Sequence, residues 1–184
     1  KTTVDYGNPI IVAATLTIKD KSPLANVPVR IEGKSAGDTN WRFLATATTG
    51  PDGRIEKPLI VGKSTTIRIY SDSTWERTEG ISTEMAVTVN RVLNVTAPGT
   101  VKVTEPVVIT GNIRPRNSGS FIQVESFVGG AWKALGEPVT TDAQGAFSFT
   151  VPAQNRGVLT LRVSAAADAL WTATTSPTFN IIIR

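Results

Sequence analysis

The chain has 184 residues, of which 40% are hydrophobic and 18% charged, and it contains neither histidine nor cysteine. This composition excludes serine or cysteine nucleophiles paired with imidazole, Cys/His zinc sites, disulfide bonds, haem ligation and iron–sulfur clusters. The net charge is +4, and each half contributes +2. The basic residues form no run or stripe, so we expect no nucleic-acid partner.

Apolar and β-branched residues recur in short stretches, several of them alternating with polar residues, and this pattern predicts β-strands. Clusters of Gly, Pro, Asn and Asp separate the stretches and predict turns. No apolar stretch is long enough for a membrane helix, so we expect no membrane insertion. The pattern as a whole predicts an all-β sandwich or barrel. In chain order the predicted strands cover 10–18, 27–31, 43–48, 67–69, 85–89, 107–113, 121–128, 146–151, 159–163 and 179–183.

The two halves of the chain repeat the same features in the same order. Thr48–Ile55 aligns with Thr140–Phe147 at a spacing of 92 residues, and each segment has paired threonines followed by a glycine. An internal repeat of this length predicts a duplicated domain. We therefore predict two β-sandwich domains, 1–92 and 93–184. Further matches are Pro9–Val12 with Pro106–Ile109, Trp41 with Trp132, Thr66–Ile69 with Thr160–Val163, and Trp75 with Trp171.

The connection between the two copies, Asn90–Val92, has neither the Gly/Ser-rich nor the Pro-rich composition of a flexible or rod-like spacer. We therefore expect the domains to sit end to end with a restricted hinge. The chain begins and ends in strand-like sequence, and we expect it to be a segment of a longer protein.

Several local motifs accompany the repeat. Tyr6–Ile10 forms a small-residue turn before an early strand, and Pro23–Val29 follows in the first copy. Each copy closes with a strand that follows a serine, Ser82 or Ser176. This arrangement resembles the bacterial Ig-like repeats of exported actinobacterial and other Gram-positive proteins. The second copy departs from the family pattern at Ala167–Trp171, where Gly-Asp and Tyr are usual.

The resemblance implies Ig-like or fibronectin-III-like sandwiches, strung in tandem beside hydrolase, peptidase or adhesin domains. It also implies an extracellular or cell-surface location. It says little about the parent protein, because one Ig-like scaffold hosts many roles.

The two glycine turns have a structural and a functional interpretation. Gly53 and Gly145 each precede a strand, where glycine supplies the positive φ of a tight turn. A calcium loop on Asp52 is the alternative, but the second copy has Gln144 at that place. Calcium takes six to eight oxygen ligands, usually with several carboxylates, so the turn interpretation is favoured. We predict no metal site and no cofactor.

The most acidic stretch of the chain contains Asp72, Glu76 and Glu79, with Arg77 among them as a charge partner. The second copy keeps only Asp168 in the corresponding loop. A solvated loop with local ion pairs is favoured over a catalytic carboxylate pair. If the chain holds a weak cation site, this loop is the place for it.

The four tryptophans fall into two matched pairs. Trp41 and Trp132 are predicted to be structural, each covering a sheet edge. Trp75 and Trp171 lie in the loop before the last strand, beside polar neighbours. An exposed tryptophan can stack on a sugar ring or anchor a protein partner, and it can equally fold back to cap the sandwich. These two residues are the candidate ligand-binding positions.

No nucleophile motif, phosphate loop or repeated acid cluster occurs, so we predict no catalytic residue and no enzyme. The first hypothesis is a non-catalytic spacer and interaction region of a secreted or surface-anchored bacterial protein, which positions an adhesive or enzymatic domain. Its partners are the adjacent domains of the parent protein. The second hypothesis is a module that binds a cell-wall or host glycan, or a surface protein, through its loop tryptophans.

Overall fold

The computed structural model describes residues 2–184, and its regular elements are β-strands. No helix in this range has the length and apolar character needed to span a membrane. In chain order the strands are β1 (Thr2–Asp5), β2 (Ile10–Thr15), β3 (Pro28–Ser35), β4 (Arg42–Thr48), β5 (Arg54–Leu59), β6 (Thr65–Ser71), β7 (Gly80–Ile81), β8 (Met85–Asn90), β9 (Val92–Thr96), β10 (Thr100–Val101), β11 (Pro106–Arg114), β12 (Phe121–Val128), β13 (Ala131–Ala134), β14 (Val139–Thr140), β15 (Ala146–Pro152), β16 (Gly157–Ala165), β17 (Thr174–Thr175) and β18 (Phe179–Ile183).

The chain forms two compact units. The first unit ends at Val89 and also takes in the segment Ala169–Trp171. The second comprises Asn90–Asp168 and Thr172–Arg184. The units therefore part after Val89, whereas β9 begins at Val92; the division of the sequence into domains 1–92 and 93–184 remains a prediction.

The first unit has a larger and a smaller sheet. The larger has the strand order β1-β8-β6-β3-β4, with β7 paired to β6, and the smaller contains β2 and β5. Along β3 the side chains alternate between buried and more exposed, as the sequence pattern predicts for a strand with one buried face. Two groups of buried residues, joined by the half-buried Ile69, make up the core: Ile10, Val12, Ile31, Val61, Ile67, Val87 and Val89 in one, and Val27, Val29 and Ile55 in the other.

The second unit repeats this plan with additional strands. Its larger sheet has the order β10-β18-β16-β12-β13, with β14 on β12 and β17 on β16. Its smaller sheet has the order β15-β11-β9. The core is a single group of 16 buried residues contributed by both sheets. It extends from Leu93 in β9 to Ile183 in β18.

The strand pairing in both units is that of an Ig-like sandwich. The second and fifth long strands pair in the small sheet, while the third strand and the last two long strands are neighbours in the large one. The predicted fold class, all-β with two Ig-like sandwich domains in tandem along the chain, is confirmed.

The paired threonines anchor the same loop in both units. The hydroxyl of Thr49 is buried; it donates to the carbonyl of Leu24 at 2.6 Å and accepts the amide of Val27 at 2.9 Å. The hydroxyl of Thr141 donates to the carbonyl of Asn117 and accepts a hydrogen bond from the amide of the third residue after Asn117. The sequence repeat thus corresponds to a repeated set of hydrogen bonds.

The two turn glycines occupy the positive-φ positions that the sequence predicts, with φ of 71° at Gly53 and 74° at Gly145. The carbonyl of Gly53 accepts the amide of Leu16 at 2.8 Å, and that of Gly145 accepts the amide of Ile113 at 2.9 Å. A Cβ at Gly53 would lie within 2.8 Å of the carbonyl oxygen of Leu16, and a Cβ at Gly145 would lie within 2.8 Å of that of Ile113. Close backbone approach and positive φ therefore both require glycine here.

Candidate functional site

A tryptophan, an arginine and a glutamate form a repeated group on the larger sheet of each unit. In the first unit the Arg68 guanidinium lies 4.2 Å from the ring centre of Trp41 and pairs with Glu32 at 2.8 Å. In the second, Arg162 lies 4.4 Å from the ring of Trp132 and pairs with a glutamate of β12 at 2.6 Å. Cation–π contact and a partly shielded ion pair both stabilise this arrangement. Trp41 directly precedes the edge strand β4 and Trp132 lies in the edge strand β13, which agrees with their predicted position at a sheet edge.

The first unit extends this group with a second stack. The guanidinium of Arg30 lies 4.7 Å from the ring centre of Tyr70 and pairs with Asp72 at 2.8 Å. The Tyr70 hydroxyl donates to Glu79 at 2.7 Å, which raises the pKa of the tyrosine, and partial burial raises it further. Two carboxylates of the acidic loop are therefore held by side chains of β3 and β6. The predicted local ion pairing occurs, but the basic partner of Asp72 is Arg30 where the sequence suggested Arg77.

The structure shows no metal-binding cluster in this loop. Within residues 2–184, no group of three or more Asp or Glu side chains comes close enough together to hold an ion. The cation site near Asp72, Glu76 and Glu79 therefore has no structural support among these residues.

Trp75 lies in a turn at the tip of the acidic loop and is 92% exposed. The turn is closed by two backbone hydrogen bonds, from the amide of Thr74 to the carbonyl of Arg77 at 2.8 Å and from Arg77 back to Thr74 at 3.4 Å. An indole held out on a hydrogen-bonded turn offers nearly its whole surface to solvent, which is the geometry that stacking on a ligand requires.

Trp171, the matching tryptophan in the sequence, has a different environment. Its side chain is half-buried and packs against the core of the first unit, to which the segment Ala169–Trp171 belongs. The indole Nε1 donates to the carbonyl of Gly62 at 2.9 Å. These contacts leave Trp171 much less exposed than Trp75. The two candidate ligand-binding positions therefore differ in exposure, and the binding role of each remains a prediction.

A buried arginine in the second unit has no counterpart among the predicted site residues. Arg91 lies between β8 and β9 and is 3% exposed. Its guanidinium bonds to Ser120 Oγ at 3.1 Å, to Asp168 at 3.3 Å and to the carbonyl of Ala166. Burial lowers the pKa of Arg91, and the charge of Asp168 partly offsets this effect. The partners lie 29 to 77 residues away, so local sequence carries no signal for this cluster.

No protein-family model and no curated protein matches the chain. Among solved structures it is similar to the D0–D1 domain of intimin, with 16% identity and a TM-score of 0.39 over 99% of this chain and 95% of that one. A tetra-tandem repeat from the extending region of a large adhesion protein gives 16% identity and a TM-score of 0.46 over 96% of this chain. Invasin, a bacterial integrin-binding protein, gives 15% and 0.46 over 99%. The chain spans 49% and 37% of these last two structures. At such identities the likeness concerns the fold alone.

Proposed function

We propose that this chain is a non-catalytic, extracellular spacer and interaction segment of a larger secreted or surface-anchored bacterial protein, where it positions an adhesive or enzymatic domain. The supporting observation is the repetition of framework contacts in both units: the threonine anchors, the turn glycines and the Trp–Arg–Glu groups. Contacts that recur between matching residues of both units stabilise the fold of each unit. Repeated units of this kind determine the length of the segment that they form. The adjacent domains of the parent protein are the proposed partners, and the Gram-positive origin that the resemblance to Ig-like repeats implies is part of the proposal.

Two carboxyl groups of the first unit are held by hydrogen bonds that favour their ionised form. The pKa of Asp20 is lowered by hydrogen bonds from Ser22, and that of Asp38 chiefly by the backbone amide of Ser35. A carboxyl group that acts as a general acid near neutral pH needs a raised pKa in a concave site. Both shifts run in the opposite direction.

Force spectroscopy on the whole chain tests the spacer. Stretching 1–184 between surface attachments should give two unfolding events, each releasing about 30 nm of contour, because each proposed domain of about 90 residues extends by about 3.3–3.6 Å per residue. This result would support domains 1–92 and 93–184 as separate mechanical units. A single event that releases about twice that length would overturn the proposal.

A second candidate function, a carbohydrate- or protein-binding module, is favoured by the exposure of Trp75. Titration of the chain with cell-wall polysaccharide, followed by tryptophan fluorescence, discriminates between the two functions. A binding module shows a saturable spectral shift that disappears in Trp75→Ala and persists in Phe43→Ala, a matched variant at another exposed aromatic residue. A spacer without glycan affinity shows no shift in any of the three proteins.

A further inference from the structure

The small sheets of the two units differ by one strand. In the second unit β11 pairs with β15 on one side and with β9 on the other, where Thr110–Arg114 lies opposite Val92–Thr96. In the first unit β2 pairs with β5 alone among the strands of residues 2–184. One edge of β2 is therefore open, and an open edge presents backbone amides and carbonyls that can pair with a further strand.

The repeat identifies which residues form this open edge. Leu16 and Ile113 are counterparts, since the amide of each donates to the carbonyl of the turn glycine in its own unit. Because successive amides along a strand point to opposite sides, those of Ala13 and Thr15 face away from β5. In β11, the counterparts of Ala13 and Thr15 are the residues three positions and one position before Ile113. Both lie opposite β9.

A pocket of about 240 Å³ adjoins the open edge. It lies between β2 and β7, and its apolar lining includes Leu16, Ile55, Ile69 and Ile81. In the second unit the counterparts of these two strands, β11 and β17, are the ones that β9 contacts. There Leu93 of β9 is 8% exposed and belongs to the core. The first unit thus has an apolar pocket at the place where the second has a buried leucine.

Solvent exposure along β2 agrees with this comparison. Ile113 is fully buried beneath β9, whereas its counterpart Leu16 is half-exposed at the pocket. Ile81 of β7 is also exposed. An apolar pocket beside an unpaired edge is the combination that strand addition uses: backbone pairing supplies affinity, and pockets take alternate side chains.

From these observations we infer that the open edge of β2 accepts an additional β-strand, donated by the polypeptide immediately N-terminal to residue 1. The second unit supplies the spacing. β9 ends at Thr96 and β10 begins at Thr100. The positive-φ residues Gly7 and Thr104 place β1 as the counterpart of β10, so the counterpart of β9 falls before residue 1. The donor is an extended segment whose alternate aliphatic side chains fill the pocket, in the position that Leu93 occupies in the core of the second unit.

One residue sets how closely the donor approaches. A Cβ at Gly111 would lie 2.3 Å from the carbonyl oxygen of Asn94 in β9. The counterpart in β2 is Ala14, which carries that Cβ. The donor strand therefore lies farther from β2 at Ala14 than β9 lies from β11 at Gly111.

The test is an N-terminal extension of the whole chain. Residues 92–97, Val-Leu-Asn-Val-Thr-Ala, are fused directly before residue 1 of 1–184, which reproduces the spacing of the second unit. The midpoint of thermal unfolding, followed by amide signals of β2 and β5, should rise by about 5 °C or more. The midpoint of β11 and β15 should not change. A control extension with Asp in place of its Leu and second Val should give no rise, because charged side chains cannot enter the pocket.

Ala14→Gly should lower the β2 midpoint less in the extended chain than in the unextended chain, because the closer approach of the donor offsets part of the backbone-entropy cost of glycine. Equal midpoints with both extensions would overturn the inference. Dimerisation of the unextended chain that protects the β2 amides would overturn the assignment to the preceding segment and indicate donation by a second copy. Neither outcome depends on the spacer function.

Discussion

The two units share a framework and differ in how it is completed. The second unit closes its small sheet with β9, and its core is one group of 16 buried residues. The first lacks that strand among residues 2–184, and its most buried residues form groups of seven and three that only half-buried side chains such as Ile69 connect. The threonine and glycine contacts are the same in both. The comparison teaches that the turns and anchors are common to both sandwiches, whereas β9 adds a buried side chain, that of Leu93, to the second core alone among the described residues.

The largest effect is expected from removing the side chain that β9 contributes to the core. Leu93→Ala should lower the free energy of unfolding of the second unit by about 2–5 kcal/mol, because it removes buried methyl groups and leaves a cavity like the pocket of the first unit. Urea denaturation followed by amide signals of β11 and β15 measures this change.

The matched control is Val108→Ala, since Val108 lies on β11 and its side chain is exposed. Its effect should stay within about 0.5 kcal/mol. Equal losses in the two variants would mean that β9 does not complete the core.

Exchanging one residue between the small sheets should affect the units unequally. In Gly111→Ala the new Cβ would lie 2.3 Å from the Asn94 carbonyl and 2.5 Å from the ring of Phe147. We expect a loss of about 1–3 kcal/mol in the second unit from this overpacking. The reverse exchange, Ala14→Gly, should cost the first unit about 0.5–1 kcal/mol through backbone entropy. Urea denaturation of both variants provides the measurement, and a harmless Gly111→Ala would contradict the close approach of β9.

The shared framework predicts equal effects in both units. Thr49→Val and Thr141→Val each leave a carbonyl and an amide in the anchored loop without their hydroxyl partner. Each should cost its own unit about 1–3 kcal/mol. Thermal unfolding of the two variants checks the symmetry. A loss of stability in only one unit would show that the repeated contacts do not stabilise both units equally.

The smallest expected effect is on the acid sensitivity of the first unit, the unit that contains Asp38. The pKa of Asp38 lies below its ordinary value of 3.8, first because the Ser35 amide donates to it and then because of Arg42 and Lys63. A lowered pKa stabilises the fold above the ordinary value, and this contribution is lost as the pH falls through the folded-state value. Asp38→Asn should therefore reduce the drop in the first unit's unfolding midpoint between about pH 6 and pH 2.5. An unchanged drop would refute the role of this carboxylate.

The sequence was sufficient for the parts of the fold that depend on local pattern. Alternation along β3 and β16 and the glycines of the two turns have signals within a few residues. The repeat then extended those signals to the whole chain. It did not identify β9, because Val92–Thr96 lies at the junction of the two copies and matches nothing in the first.

The candidate site was less predictable, because it depends on contacts between residues far apart in the chain. Trp75 and Trp171 match in the sequence, yet one is exposed and the other bonds to Gly62, 109 residues away. Arg91 likewise gains its role from Asp168 in a distant loop. Loop composition showed that these side chains are present but not which element each one contacts.

Amide hydrogen exchange in the unmodified chain tests the central claim, that the first unit has an open strand edge where the second is closed. The amides of Ala13 and Thr15 should exchange at least about tenfold faster than those of Thr110 and Asn112, since only the latter face a paired strand. Slow exchange at all four positions would contradict the account, because the edge of β2 would then already be covered.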